Sequence, residues 1–453
     1  MCRKLRFLFT ATGILSLALA FCLPAGPASA ADKEPFVIGY VGNVDSPGTK
    51  PSMDIQEMAV EEINNDGGIM DRPIEYIVAN GKGDTTASVD AAKRLLMEDE
   101  ADFIFVEGRS EICLAVQEST ASLYDEYPHI LIFNGPMDSE LTERVLHNYD
   151  KYKHCFRDWD PEAGHYAQMN YYFGNLYQEL GWEKIAILWE DLAWTSDWRE
   201  GTRAEYMDLP TWEELAEENG LEVVYSKAVK PRGTMYLPIL QQIARADADM
   251  ILYVSSWFTD TESFAKQWAD SAASDLPINL YGGVAQTQDY WDMTGGKALG
   301  AISSYFEFDF ELTEKSQPLI KKAEKEDIPL QINGHIAYAD IYFIKKAIEK
   351  AEGTQNMDKV IRMMETTEMT YSLGKMAYET KPVAPFFHSK VRVDPDDPIN
   401  STYDGSFFQP MAQFQNDGKI AYIGASCKEH EDDLAPYVDV DNYKTPAELR
   451  EMR

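Results

Sequence analysis

Residues 36–84 read FVIGYVGNVDSPGTKPSMDIQEMAVEEINNDGGIMDRPIEYIVANGKGD, and this stretch decides the fold. Phe36 to Val41 is an apolar strand running into a loop of small residues, Gly42 to Pro51. Ile55, Met58, Ala59, Glu62 and Ile63 then recur at helical spacing. The turn Asn65-Asp66-Gly67-Gly68-Ile69 leads to a second strand, Ile74 to Ala79. Strand, helix and strand make a βαβ unit. Its first loop is long and sits at the carboxyl end of a strand, where open α/β sheets hold ligands.

The residues before this unit read as an export signal spanning 1–30. Arg3, Lys4 and Arg6 supply the positive start, Phe7 to Leu23 the apolar run, and Ala28-Ser29-Ala30 a small-residue cleavage site. An uncleaved membrane anchor is the competing reading, and the A-x-A site favours cleavage. Cys22 would mark a lipoprotein, but Phe21 before it is too bulky for the usual processing site. No later segment is a long uncharged apolar run, so the expectation is a soluble protein exported to the periplasm or another extracytoplasmic space.

Removing that signal, with its three basic and no acidic residues, takes the net charge from −35 to −38. So negative a chain argues against nucleic acid or an anionic membrane surface as partner. The remainder, about 420 residues, is long enough for two domains. Its cysteines, Cys113, Cys155 and Cys427, are odd in number and match neither a zinc site nor a disulfide framework, though one bridge is open to them.

Strand and helix signals go on alternating. Asp102 to Val106, Ile130 to Phe133, Lys184 to Trp189, Leu221 to Ser226, Asp249 to Val254, Ile278 to Gly282 and Ala301 to Phe306 read as strands. Helices are expected over Ser110–Asp125, Glu162–Leu180, Asp197–Asn219 with a break at Pro210, Tyr236–Ala246, Thr261–Ala272, Glu314–Glu326, Ile332–Glu352 and Asn356–Glu365. Short strands follow at Lys375–Tyr378, His388–Val393 and Pro410–Gln415, then an acidic tail over 431–453 that wraps a surface. Alternation in two sets implies an α/β protein of two lobes, each a parallel sheet with helices on both faces.

Five segments carry a family resemblance: AVEEINNDGGI (59–69), DFIFVEGRSEICLA (102–115), ILIFNGPMDSELT (130–142), KIAILWEDLAW (184–194) and AYADIYFIKKAIEKA (337–351). In order and spacing the chain resembles the type I periplasmic solute-binding proteins of ABC transporters, in the branch of the leucine/isoleucine/valine-binding receptors. The resemblance implies two doubly wound, Rossmann-like lobes joined by three crossover segments, near Cys155–Asp158, Tyr305–Phe308 and Lys381–Phe386. Lobe one would be 34–156 plus 307–383, and lobe two 157–306 plus 384–430. A solute would lie between them, and the lobes would close on it by hinge bending.

The strongest site candidate is Gly108-Arg109-Ser110-Glu111, between a strand and a helix whose first-turn amides suit a carboxylate. Ser110 matches the family serine that helps hold the ligand carboxylate; the bland alternative is that it caps the helix. Arg109 is either an added anion clamp or the partner of a nearby acid. The loop containing Gly135 and Pro136 matches the family's second ligand loop, although Met137 stands where the family has a threonine. On lobe two Trp194 matches a covering aromatic, with Ser256 and Trp257 on the next loop; either indole could instead pack in the core. Amino-acid receptors of the family place an acid in the loop corresponding to Gly282–Gln286; here Gln286 is the nearest polar residue.

The seven histidines are scattered without metal-ligand spacing, and neither G-x-S-x-G nor a Walker A sequence is present. Gly81-Lys82-Gly83 resembles the start of a dinucleotide turn, but Thr86 takes the place of the last glycine. The expectation is therefore no enzyme, no cofactor and no metal. It is a monomeric receptor that passes a small solute to an ABC permease in the cytoplasmic membrane, or alternatively a sensor that reports occupancy to a separate signalling partner.

Overall fold

The computed structural model describes residues 34–46, 48–202, 207–390, 393–400, 409–425 and 436–453. The export signal, Cys22 and Cys427 lie outside them. Cys113 and Cys155 are both buried and free. Among the described residues no helix is long and apolar enough to cross a membrane.

The opening βαβ unit forms as its pattern demands. β1 (Phe36–Gly42) is buried at all seven positions, as a strand covered on both faces must be. α1 (Lys50–Asn65) buries Ile55, Ala59, Val60 and Ile63 along one stripe. Gly68 has φ +79, and a Cβ there would lie 1.9 Å from the Arg72 carbonyl oxygen, so the turn into β2 (Ile74–Asn80) requires glycine. α2 (Thr85–Met97) is capped by Asp84, whose side chain accepts from the Ala87 amide.

β3 (Phe103–Glu107), α3 (Ser110–Ala121), β4 (Ile130–Asn134) and β5 (Cys155–Arg157) complete the first sheet. Its order is β2-β1-β3-β4-β5, parallel throughout. The winding reverses between β1 and β3, so the loops after these two strands diverge and leave a crevice.

The second sheet repeats the plan. β6 (Lys184–Glu190), β7 (Glu222–Val229), β8 (Met250–Val254), β9 (Ile278–Tyr281) and β10 (Ile302–Ser304) run parallel in the order β7-β6-β8-β9-β10. Its reversal falls between β6 and β8. A hairpin, β11 (Met369–Tyr371) and β12 (Gly374–Met376), stands apart. β13 (Met411–Phe414) and β14 (Ile420–Gly424) then add two antiparallel strands beside β10.

The chain crosses between the two layers three times: after β5, after β10, and again before β13. Between the second and third crossings, helix Ile332–Ala351 packs on α1 beside the first sheet. One apolar core continues from Phe36 and Ile336 through Trp159 to Trp198 and Trp212, whose rings stack at 4.0 Å.

Some expected elements differ. The described residues of Asp197–Asn219 hold two short helices, Ser196–Glu200 and Trp212–Glu218. Gly201 at φ +83 ends the first, and Thr211 with Glu214 forms a capping box that starts the second. Glu162–Leu180 is helical but passes through 3-10, α and π turns in succession. His388–Val393 makes only isolated bridges at Ser389 and Lys390 among its described residues. The segment makes backbone contacts to Arg157 of β5 and to Glu379 on its other side, and the Arg157 guanidinium adds bonds to the Pro385 carbonyl and the Ser389 hydroxyl, each at 2.9 Å. The described part of the tail packs on the second sheet and includes a helix, Pro446–Glu451, which was not expected.

Candidate functional site

The loops at the two reversal points, together with those after β4, β9 and β10, enclose a cavity of about 200 Å3. The first layer contributes Asn43, Ser46, Gly48 and Thr49, the run Glu107 to Ile112, and Asn134, Gly135 and Met137; the second contributes Leu192, Trp194, Ser255 to Phe258, Tyr281, Gly282, Gly283, Gln286, Ser304 and Phe306. Glycine makes the second wall possible. Gly282 has φ +94, and a Cβ there would lie 2.2 Å from the Ser255 carbonyl oxygen, so two loops lie back to back.

Of the expected site residues, Arg109, Ser110, Glu111, Gly135, Trp194, Ser256, Trp257 and Gln286 come together on this cavity. Pro136 does not: it is buried, turned away by Gly135 at φ +85, while Met137 lines the wall.

Ser110 begins α3 but caps nothing, because Arg109 holds the cap position. The Ser110 hydroxyl accepts from the Asp138 amide at 3.2 Å and so ties the two first-layer loops together. Arg109 clamps no acid among the described residues. Its guanidinium lies 5.4 Å from the Phe258 ring centroid, across the cleft mouth, and donates to the Gly83 carbonyl at 3.4 Å. Glu111 stands exposed at the rim.

Trp194 is held from behind. Its indole N–H donates to Glu190 Oε2 at 2.6 Å, while the Ser256 hydroxyl donates to Oε1 at 2.8 Å and Thr259 adds a third donor. Burial raises the Glu190 carboxyl above its ordinary range, the three donors pull it back, and the Glu111 charge adds a smaller push upward. The Trp194 ring meets Trp198 edge-on at 5.1 Å. Trp257 reaches the other layer: a Cβ on Gly48 would lie 3.2 Å from its indole. Gln286 donates to the Ser304 hydroxyl at 3.3 Å.

Sequence reasoning missed three features. Glu107, the last residue of β3, lines the floor and accepts from the Tyr40 hydroxyl and from Thr49. Burial pushes its carboxyl up to about 7, against the pull of those two donors. Glu190 is likewise the last residue of its strand. The available signal was an acid ending an apolar run, FIFVE and KIAILWE. The third is a buried relay in the second wall. The Tyr281 hydroxyl donates to Gln168 Oε1 at 2.8 Å and lies 2.6 Å from His165 Nδ1, so Nδ1 carries the proton and donates.

The lining mixes rings with hydroxyls, amides and two acids. Such a set orients a small polar molecule and covers its apolar parts. No trio of metal-ligating side chains occurs among the described residues.

Comparison with known proteins agrees with this architecture. A 4-hydroxybenzoate complex of an R. palustris ABC transporter solute binding protein superposes with a TM-score of 0.64 at 17% identity, over 86% of this chain and 97% of that one. The isoleucine complex of a branched-chain amino acid transporter substrate binding protein from Streptococcus pneumoniae gives 0.63 at 15%, over 86% and 99%. At such identities the likeness shows the fold: two doubly wound lobes joined by three crossovers. In sequence, a Leu/Ile/Val-binding protein homolog of Brucella melitensis is 22% identical over 367 residues, covering 80% of this chain and 91% of its own length. A family profile described as Periplasmic binding protein matches residues 36–388, and the chain belongs to that family.

Proposed function

We propose that this protein is the extracytoplasmic solute receptor of an ABC importer and binds a small organic solute, an amino acid or a related carboxylate or amide, between its lobes. The lobes are 34–156 plus 307–383 and 157–306 plus 384–430, hinged where the chain crosses between layers. The single observation that carries this reading is one cavity walled by the reversal-point loops of both sheets. Two pairs already meet across it, Arg109 with Phe258 and Gly48 with Trp257.

Solute docks first on lobe one, where the α3 amides, Ser110 and Arg109 receive a carboxylate. Lobe two then brings in Trp194 and Trp257 and expels water. Solute favours closure only as far as it touches both lobes better when they are shut. The closed monomer delivers its load to the permease in the cytoplasmic membrane without transforming it. The relatives named above, binding isoleucine or 4-hydroxybenzoate, support this class of ligand, and nothing in the cleft favours a separate sensor reading.

Small-angle scattering combined with calorimetry tests the proposal on a panel of amino acids, aromatic carboxylates and whatever solute copurifies. One of them should bind and reduce the radius of gyration. A solute that binds without compaction, or no binding by any member, overturns it.

A further inference from the structure

We propose that Glu107 is the receptor for a positively charged nitrogen on the solute, so that the cleft selects an organic cation or zwitterion. This rests on the reading of the cleft as the solute site and names the chemistry that site prefers.

Position comes first. Glu107 ends β3 beside Asn134, its partner in register at the end of β4, and both line the cavity floor. Ser110 and the start of α3 follow three residues later. A carboxylate-binding helix start and a carboxylate therefore share one loop, a spacing suited to a molecule with both charges.

The partners of Glu107 make the case specific. Tyr40, itself fully buried, and Thr49 both donate hydroxyl hydrogens to it. Neither brings a positive charge, and among the described residues no Lys, Arg or His forms an ion pair with Glu107. Arg109, the nearest cation in the sequence, is turned to Phe258 and Gly83. Two fixed donors prepare the ionised form of a carboxylate, since a neutral carboxyl would spend one oxygen as a donor itself. That carboxylate faces the cleft and is already partly shielded from water. A solute that closes the lobes shields it further, and a buried carboxylate without a cation is strongly disfavoured. The upward push that burial already exerts on Glu107 has the same origin. A solute cation removes the penalty, and Trp159, Trp257, Tyr281 and Phe306 line the same cavity with aromatic rings, the residue type that attracts cations.

Matched pairs test this: each amino acid against its deaminated acid, for example L-phenylalanine against 3-phenylpropionate and L-leucine against 4-methylpentanoate, by titration calorimetry. The best-binding amine should lose at least tenfold in affinity on deamination. Glu107→Gln should weaken that amine at least tenfold and leave its deaminated partner within threefold, with Glu107→Asp intermediate and circular dichroism unchanged. Equal binding of amine and deaminated acid, or an amine indifferent to Glu107→Gln, overturns the proposal. So does a panel in which benzoates or deaminated acids compact the protein and amines do not; that result leaves the solute-receptor reading standing. Failure of every compound, including the copurified solute, to compact the protein overturns both.

Discussion

The indole of Trp194 and the carboxylate of Glu190 are joined by a hydrogen bond of 2.6 Å, so a rim residue of the cleft is aimed by an acid standing fully buried behind the wall. Ser256 and Thr259 donate to the other carboxylate oxygen, which makes Glu190 the common anchor of two second-layer loops. Glu190→Gln leaves one oxygen for three donors and turns an amide N–H2 toward them. Hydrogen bonds to a charged group are worth about 1.5–3 kcal/mol each. The variant should lose about 2 kcal/mol in urea unfolding and bind solute about tenfold more weakly. Unchanged affinity would show that the anchor does not set the aim of the rim.

Trp194 itself is half-buried and meets Trp198 only at an edge. Truncation to alanine therefore costs cleft surface more than core. Trp194→Ala should weaken binding at least tenfold by calorimetry while the protein still unfolds cooperatively. Wild-type affinity would remove this indole from the site.

Gly48 tests closure rather than contact. It carries no left-handed φ, so a side chain there is tolerated by the backbone, but its Cβ would lie 3.2 Å from the Trp257 ring. A branched residue has no room between the layers. Gly48→Val should bind solute without the compaction seen in wild type by small-angle scattering. Full compaction would mean that Trp257 yields and that this pair does not gate the lobes.

The alternating plan was legible because each strand is a short apolar run buried on both sides, as in FVIGYVG and MILYV. Strand ends then pointed to loops, and eight of the nine residues picked from those loops do line the cavity. Glu107 and Glu190 were not legible. Among 76 acidic residues each looks like any other, and their partners within the layer, Tyr40 for Glu107 and Thr259 for Glu190, lie 67 and 69 residues away in sequence. Pro136 failed for a backbone reason, since Gly135 at φ +85 swings the next residue inward. The segment 388–390 fell short for a tertiary one: its residues pair only singly with Arg157 and with Tyr378 and Glu379, too briefly to make a strand there.

Three buried histidines make stability depend on pH. Burial lowers His129 to about 4, His335 to about 3, and His154 well below its ordinary value. In the unfolded chain each titrates near 6.5. Below that pH the unfolded state binds more protons, so the stability these groups leave intact above about 6.5 is lost as pH falls through the folded values. Glu107 acts oppositely, because its raised carboxyl favours the folded state most below its ordinary range and loses that contribution as pH climbs to about 7. Burial raises the carboxyls of Asp102, Glu162, Glu190 and Glu307 in the same direction as that of Glu107, so the histidine contribution is read by comparing variants rather than from the whole protein. His129 alone accounts for a loss of about 2 kcal/mol between pH 7 and pH 5. His154 offers the cleanest test. Its ring nitrogens have no hydrogen-bond partner among the described residues, and the ring stacks on Tyr124 at 4.8 Å, so phenylalanine can take its place with little cost at pH 7. Between pH 7 and pH 5 the urea midpoint of wild type should drop relative to that of His154→Phe, because only wild type carries the lowered His154 imidazole. An equal pH response of the two proteins would mean that His154 finds a way to hold its proton without unfolding.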